Sequence, residues 1–312
     1  MTGEVRVLLQ SAESTRQTWL QQRKAGIGAT DAAVILGLSK WKSPLALYAE
    51  KAGLVDESDE EHDALEWGRR LEPVIAAKYE EVTGRSTYDP GAYEILRHPS
   101  ERWMSATLDR IVTAPPADGV LPYDSPGVLE LKTAAAWARD QWDKEPPPIY
   151  QIQVQHQLAV TGHLWGSIAV LIGGRTFRWQ DIERNETFIA RLMKLEHEFW
   201  LRVRRRDPPP PDGTRATSEV LAMLYPHEQQ ESVLLPTEAS GWDLQRETAI
   251  RAIEQAEERK TEAENRIKAA IGDHAIGVMP TGVRYHWKSQ TRKAYEVKES
   301  SFRKLTRIEV RS

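Results

Sequence analysis

Hydrophobic and polar residues alternate along residues 127–133, which read GVLELKT. Because successive side chains of a β-strand point to opposite faces, this alternation predicts a strand whose Leu129 and Leu131 enter a core. Glu130 and Lys132 would then share the other face, so that a carboxylate and an ammonium group point to one spot. A solvated strand with a weak ion pair has the same pattern, so other segments have to decide between the two interpretations.

A helical period precedes this strand. Apolar residues recur one turn apart at Leu71, Ile75 and Tyr79, and they predict a helix with one buried stripe. Glu72 lies at the edge of that stripe, where a carboxylate needs a metal, a metal-bound water or a cation as a partner. A surface glutamate beside Pro73 is the alternative interpretation.

A second helix is predicted over residues 150–162, followed by a buried strand at residues 168–172. Gln153 and Gln157 lie one turn apart on this helix and therefore on one face. A glutamine side chain can donate to a phosphate and accept from a water at the same time. A polar stripe facing solvent is the ordinary alternative, but the position soon after the acidic strand favours the wall of an active site.

Near the amino terminus, residues 26–37 combine a Gly-containing turn with a short apolar helix. Thr30 or Asp31 would cap that helix. Free N–H groups at its start, together with Arg23, can bind a phosphate. A capped structural helix is the default alternative, because the G-x-G-x-x-G spacing of a dinucleotide site is absent.

A further carboxylate, Asp109, ends the segment ATLD at residues 106–109. A Pro- and Gly-rich connection before residue 127 can join two antiparallel strands and bring this carboxylate beside Glu130. Two acidic oxygen donors can hold Mg²⁺, and Lys132 can orient a water or stabilise a negative transition state. The combination indicates metal-dependent cleavage of phosphodiester bonds.

Taken in chain order, these segments resemble the lambda-exonuclease or YqaJ-type viral recombinase family, a branch of the PD-(D/E)xK nucleases. The resemblance extends from Trp19 to Ile172. It implies an α/β fold with a restriction-endonuclease-like core, in which a central mixed sheet is flanked by helices. It also implies a Mg²⁺-dependent exonuclease, with Mn²⁺ as a substitute ion. Such an enzyme degrades one strand of duplex DNA from its 5′ end and leaves a 3′ single strand for recombination.

The resemblance assigns catalytic roles at the matching positions. It makes Asp109 and Glu130 the metal ligands, and Glu72 the acid that helps to bind a second metal or its water. Lys132 becomes the residue that orients water or stabilises charge. The segment departs from the family motif by carrying Leu108 in place of a proline before the first carboxylate.

Contacts with DNA follow from the same resemblance. Arg23 and Thr30 match the residues that hold the terminal 5′ phosphate. Gln153 matches the family's glutamine, while Gln155 is close enough in register to take that role or to contact DNA. The implied partners are double-stranded DNA ends, further copies of the chain in a trimeric ring, and a single-strand annealing protein.

Two other functions stay open. One is a PD-(D/E)xK endonuclease, and the other is a non-catalytic protein that binds DNA ends or a replication complex. The intact set of Asp109, Glu130 and Lys132 argues against the non-catalytic function, since a binding protein does not need it.

Composition narrows the class of protein. The chain has 312 residues and no cysteine, which excludes disulfides, thiol catalysis and cysteine-ligated zinc or iron–sulfur sites. No segment is apolar enough to span a membrane or to act as a secretory signal, so a cytoplasmic protein is expected.

The net charge is −4, from 42 basic and 46 acidic residues. DNA binding would therefore depend on local basic strips, such as Arg69–Arg70, Arg202–Arg206 and the C-terminal tail.

The proline run at residues 208–211 is a stiff spacer. It predicts an exonuclease core over residues 1–212 and an α+β C-terminal appendage over residues 213–312. The appendage should contain a helix that ends before Gly272, because small and apolar residues recur at alternating four- and three-residue steps from residue 247 to residue 271. A hairpin should follow, with one strand carrying Tyr285. Its second strand should carry Tyr295.

Overall fold

The computed structural model describes residues 6–7, 16–56, 63–113, 125–291 and 303–307. Its contacts divide the chain into two compact units, residues 1–225 and residues 226–312. Most of the connection between Asp109 and Glu130 lies outside the described residues. So do the acidic run at residues 57–61 and the predicted strand that carries Tyr295.

The first unit contains seven α-helices and eight strands among its described residues. Its elements in chain order are β1 (Arg6–Val7), α1 (Arg16–Lys24), α2 (Ala29–Ile35), α3 (Pro44–Lys51), α4 (Asp63–Thr83), β2 (Thr87–Tyr88), β3 (Leu96–Arg97), β4 (Ser105–Ala106), β5 (Arg110–Val112), β6 (Gly127–Ala134), a 3₁₀ helix (Ala136–Trp142), α5 (Pro148–Thr161), β7 (Trp165–Ile172), β8 (Thr176–Glu183), α6 (Glu186–Arg205) and α7 (Arg215–Leu224).

A five-stranded sheet in the order β2-β5-β6-β7-β8 forms the centre of this unit. Strands β6 and β7 run parallel, and the other neighbours run antiparallel. The helix α5 supplies the crossover that two adjacent parallel strands require. The fold is therefore the α/β core with a central mixed sheet that the sequence predicts.

The alternation along β6 has the predicted effect. Val128 packs in a core on one face with residues of α5, including Val154. Leu129 and Leu131 pack on the opposite face with residues of α4, including Tyr79. Burial of both apolar faces holds β6 at the centre of the sheet, so the polar side chains that it carries are fixed in place.

Proline and glycine residues set the ends of α5 and the start of β6. In α5, Pro148 occupies the first turn, where a missing N–H costs nothing. Gly162 ends α5 with a φ of 74°, a left-handed conformation that glycine adopts without strain. Another glycine, Gly127, starts β6 where a Cβ atom would lie 2.6 Å from the Trp165 ring.

The helix α7 follows the proline run, yet it belongs to the first unit. It packs against α3, and the Thr217 hydroxyl hydrogen-bonds the Ser43 hydroxyl at 2.8 Å. The compact unit therefore extends past the boundary predicted at residue 212 by the length of this helix.

The sequence predicts that Trp41 and Trp103, as large apolar residues, belong to the core of the first unit. Trp41 lies in the loop between α2 and α3, and 73% of its surface is exposed. The prediction that Trp41 belongs to the core is therefore wrong. Trp103, given the same prediction, is partly buried and stacks on the His197 ring with centroids 5.5 Å apart.

The second unit contains α8 (Ala239–Ile271) and an antiparallel pair, β9 (Ile276–Val278) and β10 (Arg284–His286). As predicted, the helix stops before Gly272 and Tyr285 lies in a strand. Among the described residues, β10 pairs with β9, a strand that the sequence analysis does not predict. No helix in the described parts of either unit is long and apolar enough to cross a membrane.

Candidate active site

The predicted catalytic side chains meet at one cavity of about 620 Å³. Strand β6 contributes Glu130 and Lys132, the residue before β5 contributes Asp109, and α4 contributes Glu72. Gln153 enters from α5. Four elements far apart in sequence therefore supply one site.

Glu130 is the most enclosed member of the site, with 2% of its surface exposed. Its Oε1 atom accepts hydrogen bonds from Lys132 Nζ and from Gln153 Nε2, the latter at 2.6 Å. Its Oε2 atom accepts from Gln157 Nε2, also at 2.6 Å. These donors hold a buried carboxylate in one orientation.

Asp109 reaches this carboxylate because β5 and β6 pair with Arg110 opposite Leu129. The Asp109 Oδ2 atom accepts a hydrogen bond from the Leu131 N–H at 2.8 Å. Burial raises the pKa of Asp109 well above its ordinary value, and the negative charge of Glu130 raises it further. The charge of Lys132 opposes this effect but does not cancel it.

Burial and the charge of Glu130 raise the pKa of Glu72 as they raise that of Asp109. Burial raises its pKa, the Arg110 guanidinium lowers it, and the Glu130 carboxylate raises it again, with a net upward shift. Arg110 also pairs with Asp89 at 3.1 Å. Glu72, the third acidic residue of the predicted metal site, therefore has a cation near it, Arg110, that the sequence patterns do not predict.

Lys132 is a permanent cation here. Burial alone would favour its neutral form, but Glu130 and Asp109 raise its pKa above the ordinary lysine value. Its Nζ atom also lies 5.1 Å from the centre of the Tyr150 ring, which favours the charged form. Since an ammonium group only donates hydrogen bonds, Lys132 can stabilise negative charge but cannot accept a proton.

The donor set fits a divalent cation. Asp109, Glu130 and Glu72 are acidic, and burial together with the negative charge of Glu130 raises the pKa of Asp109 and of Glu72 although Lys132 and Arg110 oppose the shift. The described residues contain no preformed group of three acidic or histidine ligands. Mg²⁺ is commonly held by one or two carboxylates and several waters, so a complete protein cage is not required.

The same cavity is lined by Arg23 and Thr30, and the Arg23 guanidinium lies 3.4 Å from the Thr30 hydroxyl. Arg23 also stacks over the Trp19 ring at 4.6 Å. Trp19 in turn donates from its indole N–H to the Thr107 hydroxyl at 3.1 Å, two residues before Asp109. This contact ties the helix that carries Arg23 to the segment that carries a predicted metal ligand.

The start of α2 differs in detail from the prediction. Gly28, and neither Thr30 nor Asp31, is the residue that caps the helix. The Gly28 N–H donates to Asp31 Oδ2 at 2.9 Å, and Lys51 pairs with the same carboxylate at 2.7 Å. Burial opposes the charge of Asp31, but Lys51 and Arg23 outweigh it and lower its pKa. Asp31 is therefore a buried structural anion, and a phosphate site here depends on Arg23 and Thr30.

The structure does not bring Gln155 to the cavity. Its amide nitrogen donates to the Glu183 carbonyl at 2.6 Å, and its amide oxygen accepts from the Asn185 N–H at 3.0 Å. Both ends of the side chain serve the junction between β8 and α6. Of the two glutamines, Gln153 is the one that lines the cavity.

Comparison with known proteins identifies the family. Residues 18–164 match the model of the YqaJ-like viral recombinase domain. The chain is also 35% identical over 276 residues to the protein YqaJ of Bacillus subtilis (strain 168), which is described as uncharacterized. That alignment covers 87% of this chain and 83% of YqaJ. This chain belongs to the YqaJ-like viral recombinase family.

Solved structures confirm the fold. The alkaline exonuclease LHK-Exo from Laribacter hongkongensis is 23% identical, with a TM-score of 0.50 over 61% of this chain and 94% of that chain. The complex of LHK-Exo with dAMP superposes with a TM-score of 0.51 over the same shares. At this identity the likeness establishes a shared fold and leaves the chemistry to the residues of the cavity.

Proposed function

We propose that this protein is a Mg²⁺-dependent exonuclease that degrades one strand of linear duplex DNA from the 5′ end and leaves a 3′ single strand for recombination. The observation that carries the proposal is the meeting of Asp109, Glu130 and Lys132 in a cavity that Arg23 also lines. Membership of a viral recombinase family and the likeness to an alkaline exonuclease support it.

Asp109 and Glu130 would hold the metal, with Glu72 binding a second ion or its water. When bound, Mg²⁺ supplies a Lewis acid for the phosphate and lowers the pKa of a water. Lys132 stabilises the negative charge that develops on the phosphate, because its ammonium group stays protonated. Gln153 keeps the Glu130 carboxylate in the orientation that binding requires.

The direction of the proposed cleavage follows from the part of the cavity that Arg23 and Thr30 line. A guanidinium makes paired, charge-assisted hydrogen bonds to a phosphate, and a threonine hydroxyl adds one more. Arg23 and Thr30 would therefore hold a terminal 5′ phosphate. Cleavage beside a fixed 5′ end releases nucleotides from that end.

Digestion of matched linear and nicked or closed circular duplexes, in Mg²⁺ and in EDTA, tests the reaction class. The proposal expects loss of the linear duplex alone, in Mg²⁺ alone, with the strand labelled at its 3′ end persisting as shortened product. Linearisation of closed circles would instead identify an endonuclease. Binding of ends without cleavage would identify a non-catalytic DNA-end-binding protein.

The Arg23→Ala variant tests the polarity. Wild type should degrade a 5′-phosphorylated end faster than a 5′-hydroxyl end, and the variant should lose that discrimination. Lys24→Ala is the matched control, because Lys24 pairs with Asp56 at 3.2 Å and does not line the cavity. If wild type ignores the 5′ phosphate, or the strand is consumed from its 3′ end, the 5′-to-3′ assignment is wrong.

We also propose that the active form is a homo-oligomer, a trimer by resemblance, that encloses the DNA. A single-strand annealing protein would take up the 3′ strand that it produces. Both proposals rest on the family resemblance.

A further inference from the structure

Gln157 is a buried amide that contacts the predicted metal ligand and has no role in the function described above. It lies on α5 one turn after Gln153, and 1% of its surface is exposed. The two amide nitrogens grip the Glu130 carboxylate from two sides, Gln153 at Oε1 and Gln157 at Oε2, both at 2.6 Å.

The two carboxylate oxygens of Glu130 accept different numbers of hydrogen bonds. Each carboxylate oxygen offers about two lone-pair directions. Lys132 and Gln153 occupy both directions of Oε1, whereas Gln157 alone binds Oε2. One direction of Oε2 therefore stays open.

Asp109 is arranged in a comparable way. Its Oδ2 atom accepts from the Leu131 N–H, and within the described ranges no donor is found for its Oδ1 atom. Among the described residues, Oε2 of Glu130 and Oδ1 of Asp109 therefore each keep a lone pair that can bind a cation.

We propose that Gln157 is a positioning residue that turns the Glu130 carboxylate so that Oε2 is the oxygen offered to the metal. The inference rests on the proposed metal-dependent function and assigns a role to a residue outside the predicted catalytic set. Gln157 acts through Glu130 and does not itself contact DNA or the metal.

The other end of the Gln157 side chain argues against a purely structural role. Its Oε1 atom is buried and has no hydrogen-bond partner among the described residues. An unpaired buried amide oxygen destabilises a fold, and leucine or methionine would avoid that cost at this buried position. The amide is therefore better explained by what its nitrogen does for Glu130.

Calorimetric titration of the metal-free protein with Mn²⁺ tests the inference without measuring cleavage. Gln157→Leu and Gln157→Met should weaken Mn²⁺ binding about 10–100-fold, the usual effect of removing a hydrogen bond to a metal ligand. Their thermal midpoints in EDTA should stay close to that of wild type, because removal of the unpaired amide oxygen offsets the lost hydrogen bond to Glu130. Raising the Mn²⁺ concentration should restore cleavage to both variants.

Gln155→Leu is the matched control on the same helix. Because Gln155 bonds only the backbone at Glu183 and Asn185, this variant should lose thermal stability and keep the Mn²⁺ affinity of wild type.

Two results would overturn the inference. Wild-type Mn²⁺ affinity in a folded Gln157→Leu or Gln157→Met protein would show that the amide does not position Glu130. Loss of stability in EDTA by both variants, to the extent seen for Gln155→Leu, would show a structural role. Failure of wild type to bind Mn²⁺ would instead contradict the proposed function itself.

Discussion

Replacement of Asp109 by asparagine should abolish DNA cleavage and, at the same time, stabilise the metal-free protein. The carboxylate ionises in a partly buried position beside Glu130 and Glu72, and its raised pKa shows that the charge is unfavourable despite Lys132. Asparagine has the same shape and keeps an oxygen for the Leu131 N–H. The substitution therefore removes the charge and preserves the hydrogen bond that now measures 2.8 Å.

The size of the gain follows from relieving one unfavourable charge at a functional site, about 0.5–2 kcal/mol. For a domain of this size, 1 kcal/mol shifts the midpoint by about 2–4 °C, so Asp109→Asn should melt about 1–8 °C higher. The size of this gain depends on pH. A carboxyl group whose folded-state pKa is raised keeps its full stability below the ordinary aspartate pKa and loses it as pH rises through the folded value. The advantage of the variant should therefore be absent in acid and grow toward alkaline pH.

Thermal unfolding in EDTA across that pH range measures the effect, and a second series with Mg²⁺ completes it. At one hundred times its dissociation constant, bound metal should raise the wild-type free energy of unfolding by about 2.7 kcal/mol, and the thermal midpoint should rise with it. The variant should gain little. Asp181→Asn is the contrasting control, because that carboxylate is paired with Arg85 and its loss should destabilise. An Asp109→Asn protein that melts below wild type in alkaline EDTA, or that cuts DNA at the wild-type rate, would contradict this prediction.

Four other outcomes are expected. Lys132→Met should lower the cleavage rate by about 10²–10³-fold with DNA-end binding retained, measured by single-turnover digestion and gel shift. Arg85→Met should cost about 3–5 kcal/mol in urea unfolding, and combination with Asp181→Asn should cost less than the sum of the single variants. Burial opposes the charge of His156, but the Glu196 carboxylate at 2.8 Å outweighs it and raises the pKa. The stability from this pair should be complete below about pH 6.5 and decline above it, whereas His156→Gln should show a flatter urea midpoint. Light scattering should find a trimer, and a monomer at all micromolar concentrations would contradict the ring.

Sequence patterns predict strand β6 correctly because the alternation that forms it depends only on neighbouring residues. Alternation along a strand is enough to place Leu129 on one side and Glu130 on the other, and both placements are confirmed. The helix α5 shows the same rule at a period of 3.6 residues. Residues four apart share a face, whereas residues two apart point to different sides. That rule selects Gln157 as the companion of Gln153, so the geometry of an ideal helix already separates Gln155 from the site.

Long-range contacts explain what the sequence does not reveal. The proline run is a stiff spacer, yet nothing local to it states that α7 returns to hydrogen-bond Ser43 through Thr217, which lies 174 residues away in sequence. Trp41 is an apolar residue that stays exposed because no long-range contact within the described residues covers it. Its ring is apolar, but a loop position supplies no element to cover it, so hydrophobicity alone gives the wrong burial. Arg110 escapes notice because its role depends on the distance to Glu72 on another element.

The two faces of the central sheet explain how the fold tolerates the crowded carboxylates of the site. Glu130 pairs in register with Ile168 on β7, and the neighbouring residue Ser167 points to the other face. There the Arg85 guanidinium binds Asp181 at 2.7 and 2.9 Å and lies 5.1 Å from the Trp165 ring. With 5% of its side chain exposed, Arg85 is held by partners on α4, β7 and β8. This charge network on one face of the sheet holds β7 beside β6, so Glu130 on the opposite face keeps its position although repulsion from the neighbouring carboxylates opposes it.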